Sequence, residues 1–292
     1  MSTNDEWTIG RLLQWTSEYL GQQGGESPRL DAEVLLAEAR GCQRIELYTA
    51  FGEPASEEVR AAYRELVRRR AEGTPVAYVV GRREFYSHTF RVTPDVLIPR
   101  PETEFIVVTL LDLAKRVEGE RPISIADVGT GSGILAICAA LHIPGCQVTA
   151  TDIDMAALEI ARHNTAQHGV GDRVELLQGD LLAPIAAEAG FDFIVSNPPY
   201  VSQAEWESLA TEVRDHEPAT ALVAGPTGME VIERLAPQAA QHLRPGGWLL
   251  LEVSPMIEEH VRELLVNDGR FEVGTTVKDL AQLPRVVLGQ RN

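Results

Sequence analysis

Ile123-Ser124-Ile125-Ala126-Asp127-Val128-Gly129-Thr130-Gly131-Ser132-Gly133 is the stretch whose reading decides the fold. Its first six residues are mostly apolar, the pattern of a short buried strand. Glycines then occupy alternate positions, and the apolar run over residues 134–141 reads as a helix. A strand that passes through glycines into a helix lets a ligand approach the backbone closely. The next predicted strand, residues 147–151, ends at Asp152. An acid about 20 residues past the glycines, at the tip of the second strand, is placed to accept hydrogen bonds from a ribose.

A dinucleotide site is one reading of this loop, and a tight turn is another. The dinucleotide fingerprint, however, has a glycine where Ile134 stands. Asp127-x-Gly129-x-Gly131-x-Gly133 between strand and helix, with Asp152 following, resembles the first motif of S-adenosylmethionine-dependent methyltransferases. Thr130 and Ser132 fill the positions between the glycines. The order of elements continues with a helix over 155–168 and a strand over 174–178 that ends at Gly179-Asp180. Next come a strand over 191–195, a helix over 229–243, the turn Arg244-Pro245-Gly246-Gly247 and a strand over 248–252. A helix over 255–268 and strands over 271–276 and 285–288 close the chain. Seven strands alternate with helices, except that a short loop joins the last two, which are expected to be antiparallel. In such folds the acid at the third strand tip commonly faces an adenine amino group, so Asp180 and Leu181 are candidate adenine contacts.

The fourth strand runs into Ser196-Asn197-Pro198-Pro199-Tyr200. In open α/β sheets, ligands bind at the carboxyl ends of the strands. Two prolines remove two backbone N–H donors, so the corner is rich in acceptors: the Asn197 side-chain oxygen and the proline carbonyls. Tyr200 adds a flat aromatic face. The corner suits a planar group with an NH₂ to donate, an amide or an exocyclic amine, although Asn-Pro and Pro-Pro are also plain turn dipeptides.

Composition narrows the classes. The 292 residues carry a net charge of −17, which argues against a protein that lives on bulk nucleic acid. Cys42, Cys138 and Cys146 form no CxxC pair and fit a reduced, cytoplasmic setting. No metal site is expected. The start, Met1-Ser2-Thr3-Asn4-Asp5-Glu6, is acidic and lacks a signal-peptide pattern. No apolar run approaches the ~18 residues of a membrane helix.

The first third reads as a small helical domain. Ile9, Leu12, Leu13 and Leu20 form a stripe ended by Gly21. Ser27-Pro28 starts a second helix that stops near Gly41. A third begins at Ser56, with Glu57 and Glu58 in its first turn and Arg68-Arg69-Arg70 as a solvated far end. Prolines and glycines then break the chain from Gly73 to Pro101, and residues 85–92 read as a hairpin. His88 is taken as structural. The expected domains are residues 1–82, helical and substrate-recognising; 83–98, a hairpin linker; and 99–292, the methyltransferase domain.

Several segments outside the two strand-tip motifs carry a closer resemblance. Asp127–Gly133 and Asn197–Tyr200 are similar to amino-methyltransferases that act on planar nitrogen. Ser27-Pro28-Arg29-Leu30-Asp31-Ala32-Glu33-Val34-Leu35-Leu36, Gly73-Thr74-Pro75-Val76-Ala77-Tyr78, Arg83-Glu84-Phe85-Tyr86 and Leu97-Ile98-Pro99-Arg100-Pro101-Glu102-Thr103-Glu104 resemble the PrmC/HemK family of bacterial release factor glutamine methyltransferases. His216-Glu217-Pro218, Ala221-Leu222, Gly228-Met229, Asp279-Leu280 and Arg285-Val286-Val287-Leu288-Gly289 extend the match over nearly the whole chain. One departure stands after Glu252: Val253-Ser254-Pro255 replaces the glycine and nearby glutamine that the family often has there.

The resemblance implies a seven-stranded class I, Rossmann-like α/β methyltransferase domain behind a helical domain and hairpin linker. It implies methylation of the side-chain amide of the glutamine in the Gly-Gly-Gln motif of peptide chain release factors. S-adenosyl-L-methionine would be the donor and S-adenosyl-L-homocysteine the product. Gly129, Thr130, Gly131, Ser132, Gly133, Asp152, Asp180, Leu181 and Asn197 would line the donor site. Asn197, Pro198, Pro199 and Tyr200 would hold the glutamine, with Asn197 and Pro198 accepting its two amide hydrogens and Tyr200 packing on the flat amide. Rival substrates are adenine in nucleic acid and a ribosomal-protein glutamine. No DNA or membrane contact is expected.

Overall fold

Thr8 starts the first helix, its hydroxyl accepting the Arg11 N–H at 3.2 Å. The computed structural model describes residues 6–117, 119, 121–186 and 190–292. The acidic start, residues 1–5, lies outside them. The described residues form two compact units, one of the residues up to Gly81 with Thr211–His216, the other Arg82–Ala210 with Glu217–Asn292.

The first unit contains α1 (Ile9–Gln22), α2 (Pro28–Arg40), α3 (Arg44–Thr49), α4 (Glu57–Ala71) and α5 (Val76–Val80). Pro28 opens α2, and Gly41 ends it at φ +67°. Ile9, Leu13, Leu35, Leu36, Leu47, Tyr63 and Val67 share one core. Three features differ from the sequence reading. Helix α1 runs through Gly21 to Gln22. Helix α3, at 6 residues, is too short to display a periodic stripe. Helix α5 sits between Pro75 and Gly81, so those breakers bound a helix rather than exclude one.

The arginine triplet is also more than a solvated end. Arg68 pairs with Glu65 and Glu72 at the surface. Arg70, only 10% exposed, pairs with Asp31 at 2.8 Å and Glu212 at 2.9 Å. A chain segment more than a hundred residues downstream thus belongs to this unit, which no local pattern signals.

The second unit opens with a hairpin, β1 (Arg82–Phe85) and β2 (His88–Arg91). Its two-residue turn is Tyr86-Ser87, both at positive φ, as such turns require. The strands therefore begin three residues earlier than residue 85 suggests. A 3₁₀ turn, Pro101–Thr103, leads into α6 (Glu104–Ala114). Then follow β3 (Ser124–Val128), α7 (Ile134–His142), β4 (Gln147–Asp152), α8 (Met155–Gln167), β5 (Val174–Gln178) and β6 (Phe191–Ser196). Short elements β7 (Val201–Ser202), α9 (Gln203–Trp206) and β8 (Val223–Gly225) precede α11 (Glu230–His242) and β9 (Leu243–Glu252), and α10 (Thr211–His216), which falls between α9 and β8 in the chain, belongs to the first unit. The chain closes with α12 (Glu258–Asp268), β10 (Phe271–Val273), β11 (Val277–Lys278) and β12 (Pro284–Arg291).

The main sheet has the order β10-β12-β9-β6-β3-β4-β5, with β11 paired to β12. Strands β9, β6, β3, β4 and β5 are parallel, and β12 is antiparallel to both β9 and β10. Side chains alternate between faces. Ile125, Val148, Phe193, Val195 and Leu250 pack beneath α6 and α7. Ala126, Val128, Ile194, Leu249 and Leu251 pack against α11 and α12 on the other face. The chain leaves β3 toward β4 on one side and returns as β6 on the other. That switch point, at the carboxyl ends of β3 and β6, is where such sheets open a crevice.

Two boundaries moved. Arg244-Pro245-Gly246-Gly247, expected as a turn, lies within β9 as an irregularity: Phe191 pairs with Leu243, but Phe193 pairs with Trp248. A Cβ on Gly247 would lie 3.0 Å from the Phe191 carbonyl, so the backbones approach closely there. Helix α12 starts at Glu258, not Pro255, because Val253 stays with the sheet and its N–H donates to the Arg285 carbonyl at 2.9 Å.

Candidate functional site

The loop after β3 is held from beneath. The N–H groups of Gly129 and Thr130 both donate to the Thr151 carbonyl at 2.9 Å. Asp127 Oδ2 accepts the Thr130 hydroxyl at 2.7 Å and the Ala136 N–H at 3.0 Å. Gly131 and Gly133 serve different needs. A Cβ on Gly131, at φ +56°, would meet open space, the space a ligand would use. A Cβ on Gly133 would meet Ile137 at 3.1 Å and Ala161 at 3.4 Å, so that glycine lets helices pack.

Asp152, at the tip of β4, does two jobs. Its Oδ2 accepts the Gly131 N–H at 2.8 Å, and its Oδ1 accepts the Asp154 N–H at 3.0 Å. Each carboxylate oxygen has a second lone pair left for a ligand hydroxyl. Burial pushes its carboxyl above the ordinary aspartate range, against the pull of those N–H donors. Asp127 is more extreme. Burial pushes its carboxyl up to about 7, and Oδ1 has no hydrogen-bond partner. A buried, unpaired carboxylate oxygen is an acceptor waiting for a donor or a cation.

A stability prediction follows from that shift. A carboxyl raised in the folded state is penalised only when ionised. The penalty accumulates from its unfolded value of 3.8 up to about 7 and is constant above that. The expected slope is ~1.4 kcal/mol per pH unit. Denaturant titrations of the wild type and Asp127→Asn should diverge between pH 4 and 7 and run parallel above. Curves parallel throughout contradict the buried carboxyl's role.

A cleft of about 330 Å³ opens over this loop, within the range of small-ligand sites. Gly129, Thr130, Gly131, Ser132, Asp152, Asp180 and Leu181 line it, and Asn197 and Pro199 face them; Gly133, Pro198 and Tyr200 are not in its wall. Asp180 forms an ion pair with Arg234, which also lines the cleft. Leu181 holds φ +53°, a costly conformation for a leucine. Its neighbour Leu182 donates its N–H to Gln238 at 3.1 Å.

The other wall is built from distant residues. Ser196, the last residue of β6, donates its hydroxyl to the Val128 carbonyl at 2.7 Å and ties β6 to β3. Asn197 Nδ2 donates to Thr103 Oγ1 at 3.2 Å, leaving Oδ1 as the acceptor for the cleft. Pro198 is buried. The Tyr200 ring turns its hydroxyl to Glu252 Oε1 at 3.4 Å. Burial, with Glu252 beside it, pushes the Tyr200 phenol up. Glu217 accepts the Ile98 N–H at 3.2 Å and Arg100 at 2.5 Å, fixing the stretch over 97–100 that lines the cleft.

The sequence reading names none of Thr103, Glu217 and Glu252 as a site residue: Thr103 and Glu217 lie in segments that resemble the family, and Glu252 stands just before the departure at Val253-Ser254-Pro255. The cleft's acceptors (Asp152, Asp180 and Asn197 Oδ1) and its bare glycine floor fit a cationic nucleoside with hydroxyl and amine donors. Among the described residues no group of three or more His, Cys, Asp or Glu is arranged to hold a metal ion. None of the described helices is long and apolar enough to cross a membrane.

Residues 11–81 match the family model described as the PrmC N-terminal domain, and residues 109–268 match the methyltransferase small domain. A release factor glutamine methyltransferase of Rhodopirellula baltica is 49% identical over 291 residues, 99% of this chain and 98% of that protein. One of Koribacter versatilis is 43% identical over 97% of this chain and 99% of that protein. Among solved structures, the hMettl16 catalytic domain in complex with MAT2A 3'UTR hairpin 1 aligns with a TM-score of 0.59 at 19% identity, covering 78% of this chain and 80% of that one. The T. thermophilus 16S rRNA methyltransferase RsmC in complex with AdoMet and guanosine aligns with a TM-score of 0.53 at 22% identity, covering 72% of this chain and 50% of that one. At these identities the structural likeness speaks for the class I methyltransferase fold alone.

Proposed function

The chain belongs to the release factor glutamine methyltransferase family, and from that premise we propose that it methylates the side-chain amide nitrogen of the Gly-Gly-Gln glutamine of peptide chain release factors. S-adenosylmethionine supplies the electrophilic methyl group when bound. The residues expected to hold it are Gly129 to Gly133, Asp152, Asp180 and Leu181. The observation that carries the reading is Asn197, oriented by Thr103 with its amide oxygen free for the cleft.

An amide nitrogen is a poor nucleophile, because its lone pair is delocalised over a planar group. Asn197 Oδ1 and the Pro198 carbonyl would accept the two amide hydrogens, which orients the nitrogen and stabilises positive charge developing on it. With Tyr200 turned toward Glu252, its part is to hold the loop, and Pro199, in the cleft wall, offers the apolar contact. The proton leaves to water after transfer.

The net charge of −17 favours a protein substrate over nucleic acid. Incubating the chain with labelled donor and, separately, a release factor, ribosomal proteins and DNA tests this. Label is expected on the release factor alone. Label on DNA or on a ribosomal protein at comparable rate overturns the assignment.

A further inference from the structure

We propose that Glu217 is a positioning residue that biases the cleft toward the cationic donor relative to the neutral product, by holding and neutralising Arg100 in the cleft wall. This deepens the methyltransferase reading and rests on it. The stretch over residues 97–100 has little to hold itself. It lies between β2 and the 3₁₀ turn, in neither helix nor strand. Pro99 and Pro101 carry no N–H, so from Ile98 to Pro101 only Ile98 and Arg100 have a backbone donor. Glu217 supplies the anchor: its Oε2 accepts the Ile98 N–H at 3.2 Å, and its Oε1 accepts Arg100 Nη2 at 2.5 Å. The Glu217 side chain is 1% exposed and that of Arg100 32%. The carboxylate therefore stands behind the wall, and the guanidinium is the group that reaches the cleft.

The chain on the other side of Glu217 is tied down as well. Pro218, Ala221 and Val223 line the same cleft. Val201, the residue after Tyr200, donates its N–H to the Leu222 carbonyl at 2.9 Å and pairs with Val223. Glu217 thus joins the stretch over 97–100 to the segment that flanks the Asn-Pro-Pro-Tyr loop, and it fixes where the Arg100 charge sits.

That charge matters because of what the cleft must tell apart. Among the described residues, Arg100 and Arg234 are the cations in its wall, beside Asp95, Asp152, Asp154 and Asp180. Each cation is matched by a carboxylate: Arg234 pairs with Asp180, and Arg100 with Glu217. Asp95, Asp152 and Asp154 accept instead from neutral donors, the Thr93 hydroxyl and the N–H groups of Gly131 and Ala156. The balance of the cleft is therefore negative, which suits a sulfonium. Donor and product share adenosine, ammonium and carboxylate. They differ in the sulfur, which loses its positive charge when the methyl group leaves. An Arg100 without Glu217 would repel the sulfonium but not the thioether. Its pull on the shared carboxylate would be the same for both ligands. The ratio of the two dissociation constants thus reads the one charge that Glu217 cancels.

The test is calorimetric titration of S-adenosylmethionine and, separately, S-adenosylhomocysteine into the full chain and its variants at pH 8. Glu217→Gln keeps the size and an oxygen for the Ile98 N–H but drops the charge. The ratio of donor to product dissociation constants should rise about 3- to 10-fold, the scale of one unit charge acting across a partly solvated cleft. Arg100→Gln removes the cation instead and should move the ratio the other way. The double variant, Arg100→Gln with Glu217→Gln, holds a neutral pair and should return the ratio to within about twofold of the wild type. A residue that only held the fold would weaken both ligands alike. A ratio unchanged in Glu217→Gln therefore overturns the inference, as does a double variant no closer to the wild type than the single one. If Glu217→Gln does not fold, Arg100→Gln decides, and an unchanged ratio there overturns it too. A wild type that binds neither ligand overturns the methyltransferase reading itself, and the inference with it.

Discussion

Asn197→Ala is expected to lower kcat on a release factor by about 100- to 1,000-fold, the usual cost of removing one preorganised group that stabilises developing charge. Donor binding should change little. The donor's expected ribose contact, Asp152, closes β4 whereas Asn197 follows β6, and the glycine loop keeps its own hydrogen bonds to Thr151 and Asp127. Alanine removes Oδ1, the acceptor that faces the cleft, and also the amide that meets Thr103. The substrate amide then keeps only the Pro198 carbonyl as a partner for its hydrogens, and its nitrogen is no longer aimed. Single-turnover rates with calorimetric donor titration separate the two effects. A near-wild-type rate removes Asn197 from the chemistry.

Asp152→Ala is expected to have the second-largest effect, on the donor rather than on the chemistry. Hydrogen bonds to a charged group contribute roughly 1.5–3 kcal/mol, so the donor dissociation constant should rise about 10- to 100-fold. The loss has two sources. The ribose loses its acceptor, and the Gly131 N–H loses the carboxylate that holds the loop at 2.8 Å. Asp152→Asn keeps an acceptor for Gly131 and should fall between. An unchanged dissociation constant in Asp152→Ala rules out the ribose contact.

The residues explain why some of this was legible and some was not. Strands β3 and β6 are buried along most of their length and read as short, mostly apolar runs, and Asp152, Asp180 and Asn197 stand at or within two residues of the carboxyl ends of β4, β5 and β6. The glycine loop is local in sequence and in space. Contacts between distant segments leave no such mark. Thr103 lies 94 residues from Asn197, and Glu252 lies 52 from Tyr200. Arg234, which pairs with Asp180, lies 54 residues away from it, on a helix that packs for other reasons. Arg70 looked like one of three solvated arginines because its partners, Asp31 and Glu212, are far along the chain. The Arg244–Gly247 irregularity reads as a turn because its glycines and proline are turn formers. The pairings that flank it, Leu243 with Phe191 and Trp248 with Phe193, keep it in the sheet.

The most direct measurement is mass spectrometry of a release factor after incubation with the chain and S-adenosylmethionine. The account predicts one added methyl group, located by fragmentation on the glutamine of the Gly-Gly-Gln motif, present with the wild type and nearly absent with Asn197→Ala. A release factor left unmodified, or a methyl group on any other residue, contradicts it.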